Sequence, residues 1–149
     1  FSVSGETTGK FFELIRYGTT WGDFKERVRM IEDNGHEIEF SSTISNISIL
    51  DFAKFYDTYN KHHNILVGTI NERPFLMPHV LDDLSKENFI LETRSLNNVP
   101  QFQDISRLVN LDPSDTDRKN FGNYLKQFSS RRSMDISFLP EHLRKWCGL

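Results

Sequence analysis

Adjacent imidazoles, clustered carboxylates, a glycine-bracketed loop and a lone thiol are the groups here whose types could serve a metal, a phosphate or a redox partner. His62 and His63 follow Lys61 at the end of a helical pattern. Neighbouring residues at a helix end diverge, so this pair chelates poorly without a third ligand. The position suits instead the negative end of a helix dipole, where cationic side chains are favoured. His36, His79 and His142 stand alone in the sequence and receive no role. Asp82-Asp83 and Asp112-x-x-Asp115-x-Asp117 lack the glycine and terminal glutamate of a calcium loop. Acids of this kind serve helix starts. Gly5 and Gly9 bracket Glu6-Thr7-Thr8, a spacing that matches neither the dinucleotide fingerprint nor the P-loop. Cys147 is the only cysteine, so this chain alone forms no internal disulfide, cysteine-rich zinc site or iron–sulfur cluster. No residue is assigned a metal-binding or a catalytic role.

The elements that must hold any site alternate in the first half. Ser2-Val3-Ser4-Gly5 reads as a strand ending in glycine, with Ser2 and Ser4 on one face. Trp21, Phe24, Val28 and Ile31 recur at helical spacing, predicting a helix from about Thr20 to Asp33. Thr20 is its N-cap, Asp23 completes a capping arrangement, and Asn34-Gly35 ends it. Ile38 and Phe40 alternate with Glu37 and Glu39, predicting a strand around His36 to Ile44. A second helix follows at about Ser48 to Lys61, and Ile65 to Ile70 reads as a buried strand. This order implies a parallel sheet with right-handed crossovers over residues 1–73.

Residues 74–149 read as a helical extension packed on that layer, without a convincing strand. Met77-Pro78 is expected to open a short helix through about Leu84. A further segment runs from Glu87 to Leu96, Val99-Pro100 breaks the chain, and a helix follows to about Leu111. Asp112 to Asp115 restart a helix bearing Phe121, Tyr124, Leu125 and Phe128, closed by Arg131 and Arg132. The last helix spans Pro140 to about Trp146.

Composition narrows the function classes. The 149 residues suffice for a real core, and 37% hydrophobic content with thirteen Phe argues for a folded chain. Eighteen basic and twenty-one acidic residues are interspersed, without the basic footprint of a nucleic-acid binder. No apolar run is long enough for a membrane span, and no signal-peptide pattern is visible. The single tail thiol is consistent with a reducing, cytoplasmic setting.

The strand end Ser2-Val3-Ser4-Gly5, followed by Phe12-Glu13-Leu14-Ile15-Arg16-Tyr17-Gly18-Thr19-Thr20-Trp21, resembles the middle of radical S-adenosylmethionine (radical SAM) enzymes with a short twitch-type C-terminal region. There a strand ending Ser-x-Asp-Gly precedes an Arg-Tyr-Gly-x-x-Trp segment and a helix. Phe40 to Ile49 is similar to the next barrel strand and its turn, and Phe121 to Trp146 to the closing segment. The likeness is clearest over residues 1–55 and 120–146. Two departures stand out. The Cys-x-x-x-Cys-x-x-Cys loop that holds a 4Fe–4S cluster is absent, and Ser4 replaces the acidic residue of the strand-end motif.

The resemblance implies a partial, half TIM-type barrel of about three parallel strands with outer helices, whose first half lies upstream of Phe1. Ser2 and Ser4 would then face the cofactor, and Arg16 would grip its carboxylate. Ser42 and Thr43, at the end of the next strand, are cofactor-binding candidates by position. S-adenosylmethionine and the 4Fe–4S cluster would belong to the parent protein, with neither held by this chain alone. Without the cluster loop the chain is expected to be catalytically silent. The uncovered strand edge and apolar face predict a homo-oligomer or pairing with the missing half-barrel. The competing expectation is a complete small α/β interaction module without chemistry.

Overall fold

A computed structural model describes all 149 residues. The chain is α/β and divides into two compact units, Phe1–Thr69 and Ile70–Leu149. The first holds an open sheet of three parallel strands in the order β1-β2-β3. These are β1 (Ser2–Ser4), β2 (Glu39–Ile44) and β3 (Asn64–Thr69). The register aligns Val3 with Phe40 and Phe40 with Ile65.

Helices α1 (Gly9–Ile15), α2 (Trp21–Asp33) and α3 (Phe52–Tyr59) connect the strands. The α2 start is as the sequence reads: Thr20 accepts from the Asp23 backbone N–H at 3.0 Å, and Asp23 accepts from the Thr20 N–H at 3.3 Å. Phe40, fully buried, is the hub of this core. Its ring lies 4.5 Å from Tyr59 and 5.4 Å from Phe55 of α3, and 6.3 Å from Phe24 of α2. Trp21 stacks on Phe24 at 5.2 Å. These offset and tilted pairs add to the burial of the rings themselves.

The expected helix at 48–61 is shorter and interrupted. Ser48–Leu50 form a 3-10 turn and α3 begins at Phe52. Ser45 and Ser48 bond each other's backbone at 3.2 and 2.7 Å, a local alternative to helical hydrogen bonds. Strand β2 starts at Glu39 rather than His36. Helix α1 was not anticipated at all.

The second unit contains α4 (Asp83–Glu92), α5 (Pro100–Val109), α6 (Asp115–Arg132) and α7 (Glu141–Cys147). The helix expected from Met77 to Leu84 does not form. Met77 precedes a proline and is extended at φ −66°, ψ 151°, as that position favours. The helix starts instead at Asp83, where the Asp82 carboxylate accepts the Ser85 backbone N–H at 3.1 Å. Its end and a 3-10 turn at Arg94–Leu96 account for the segment read over Glu87 to Leu96. Pro100 opens α5 in its first turn, and Ser114 caps α6 through the Asp117 N–H at 3.0 Å. Helix α7 packs on α6 at Gly122, where an added Cβ would lie 2.2 Å from the Cys147 carbonyl oxygen.

Candidate functional site

Alternation and parallel register sort the strand residues onto two faces. Phe40, Ser42, Ile44 and Ile65 are buried on the face covered by the helices. Ser2, Ser4, Ser41, Thr43, Asn64, Leu66 and Gly68 share the other face, and every one of them is exposed. Parallel sheets ordinarily have both faces covered. This one leaves bare a face that carries the hydroxyls of Ser2, Ser4, Ser41 and Thr43 together with Glu39, Asn64, Leu66 and Gly68.

Beside that face, at the carboxyl end of β1, the chain turns inward through Gly5-Glu6-Thr7-Thr8, all buried. Gly5 is required by contact: a Cβ there would sit 2.9 Å from the Phe55 ring and 3.1 Å from the Phe24 ring. The Gly5 N–H donates to the Ser41 carbonyl at 3.2 Å, and the Ser42 hydroxyl donates to the Gly5 carbonyl. Asp51, at the start of α3, accepts the Thr8 backbone N–H.

Arg16, which closes α1, donates from Nη2 to Glu6 Oε2 at 2.7 Å. The glutamate side chain is 4% exposed and the arginine 35%. Burial pushes the Glu6 carboxyl above its ordinary value, and the hydrogen bond and charge of Arg16 only partly offset this. Burial also raises Asp51, against the opposing Thr8 hydrogen bonds. Two buried polar atoms of this region, Thr7 Oγ1 and Arg16 Nε, have no hydrogen-bond partner. Polar atoms in that condition mark sites that a water or a ligand completes.

Of the five residues the sequence nominates, Ser2, Ser4 and Thr43 come together on the open face. Ser42 lies on the opposite face and is spent on the Gly5 carbonyl. Arg16 stands beyond the strand end, tied to Glu6. Glu6, Asp51 and Ser41 were missed. Nothing local in sequence ties Glu6 to a residue ten positions on, because the fold rather than a periodic pattern brings them together.

Two of the histidines are paired with carboxylates. His63 Nε2 lies 2.7 Å from Glu32, and His142 Nδ1 lies 2.7 Å from the buried Asp82. No group of three or more His, Cys, Asp or Glu side chains is arranged to hold a metal ion. Cys147 is buried, and burial with the nearby Asp82 charge pushes its thiol up to about 12. No helix is long and apolar enough to cross a membrane. No family model, curated protein or solved structure matches the chain.

Proposed function

We propose that this chain is the C-terminal portion of a radical S-adenosylmethionine enzyme, its sheet forming part of an incomplete TIM-type barrel. The bare face of a parallel sheet, with hydroxyls at its strand ends, carries this reading. In a barrel the inner faces of the strands cover one another, and ligands sit at the carboxyl ends of the strands. Ser4 and Thr43 lie at those ends, with Ser2 on the same face.

In this reading Ser2, Ser4 and Thr43 offer hydroxyls to the cofactor's polar groups, and Arg16 holds its carboxylate. Ser42 supports them by fixing the Gly5 carbonyl. The unpartnered Thr7 Oγ1 and Arg16 Nε fit a polar ligand of this kind. S-adenosylmethionine bound beside a reduced cluster would supply radical hydrogen-abstraction chemistry. The cluster itself does not fit the residues present, since the one thiol is buried and lies in the other unit. The chain alone is therefore silent, and the parent functions in the cytoplasm, where exposed cluster thiolates stay reduced.

The test is the coding sequence upstream of Phe1. An in-frame Cys-x-x-x-Cys-x-x-Cys within one further domain's length is the expected result. A start codon directly before Phe1, or an upstream segment without cysteines, overturns the reading and leaves an α/β interaction module.

A further inference from the structure

Strand β3 is the longer of the two sheet edges, six residues against three in β1. Its backbone orientation follows from the ladder beside it. Glu39 N–H donates to the Phe1 carbonyl at 2.9 Å and Gly5 N–H to the Ser41 carbonyl at 3.2 Å, so Glu39 and Ser41 turn their main-chain groups to β1. Alternation turns Phe40 and Ser42 toward β3, which leaves the main-chain groups of Ile65, Val67 and Thr69 pointing off the sheet. No turn, loop or cap hydrogen bond in the chain uses them.

Exposed edges are ordinarily guarded by lysine, proline, a bulge or an inward charge. Asn64-Ile65-Leu66-Val67-Gly68-Thr69 has no charge and no proline, and its pairing with β2 runs without a bulge. Leu66 is 49% exposed on the open face. The space above Gly68 on the same face is empty, since an added Cβ there meets nothing within 4 Å.

We infer that β3 is a self-pairing edge: two copies of this chain join antiparallel about a two-fold axis through Val67, making one continuous sheet. A two-fold axis there makes Val67 its own partner and pairs Ile65 with Thr69 of the second copy. Each of these pairs exchanges two main-chain hydrogen bonds. The same register sets Leu66 opposite Gly68 of the second copy, twice in the dimer. The exposed leucine then lies over the empty space beside it. A second copy is the occupant because the edge is self-complementary in this register and carries no charge to select a different partner. The inference does not rest on the cofactor reading, and edge pairing buries little area, so the dimer is weak and concentration-dependent.

Light scattering on the purified 149-residue chain, from low micromolar to millimolar, reads the mass directly. The expected result is a shift from monomer toward dimer as concentration rises. Leu66→Lys and Gly68→Glu, both at exposed positions, each weaken self-association at least tenfold. Mixing the two variants restores a heterodimer, because the lysine introduced in one copy then faces the glutamate introduced in the other. Circular dichroism checks that each variant is folded. A parent that stays monomeric throughout overturns the inference. So does a folded Leu66→Lys variant that dimerises like the parent, or folded variants whose mixture gives no heterodimer.

Discussion

Burial raises the proton affinity of Glu6, and Arg16 offsets only part of that cost. Above the raised value, the folded chain carries an ionised buried carboxylate. Between that value and the ordinary one, the folded state binds the proton more tightly than the unfolded state does. The Glu6 contribution therefore falls as pH rises through this window and is most favourable on its acid side. Glu6→Gln removes that dependence, so the variant gains stability relative to the parent as pH rises, measured by urea unfolding at a series of pH values. Asp51 has the same sign and persists in both proteins. Arg16→Met has the opposite profile. It removes the hydrogen bond and charge that partly offset the burial of Glu6 and costs about 1–3 kcal/mol near neutral pH, a figure kept low because Arg16 is partly exposed. In the same series its cost shrinks toward acid pH, where Glu6 takes up a proton.

At the scale of elements, close approach rather than side-chain chemistry fixes the last helix. Gly122→Ala drives a Cβ into the Cys147 carbonyl, so α7 must move off α6. The expected cost is about 1–3 kcal/mol by chemical denaturation, of the size seen when atoms are forced into packed interiors. That contact is invisible in the sequence, where Gly122 interrupts the apolar face of α6 without a turn beside it. The elements that were legible carry strong local signals: the Thr20–Asp23 capping box and the alternation through Phe40. Those that were missed follow from wider context. Helix α1 has only seven residues and no side-chain cap, so neither periodicity nor capping announces it. The start of α4 was misplaced because Pro78 reads as a first-turn proline, whereas Asp82 holds the cap.

For the whole molecule, the three-strand parallel sheet was legible from the order of apolar runs. Its one-sided cover was not, since alternation separates two faces without saying what lies over either. The same limit applies to the candidate residues. Period two put Ser2 and Ser4 together, but nominating neighbours Ser42 and Thr43 as a pair ignored that successive strand residues face opposite ways. The covered face depends on Phe40, which meets rings from both α2 and α3. Phe40→Ala empties that hub and is expected to cost about 3–5 kcal/mol in urea unfolding, with Leu66→Ala on the open face nearly neutral beside it.

The boundary at Thr69 and Ile70 also separates the two tryptophans, Trp21 stacked on Phe24 in the first unit and Trp146 in α7 of the second. Each unit thus contains its own natural fluorophore. Replacing one or the other with phenylalanine assigns any change in emission to a single unit, with no dye attached.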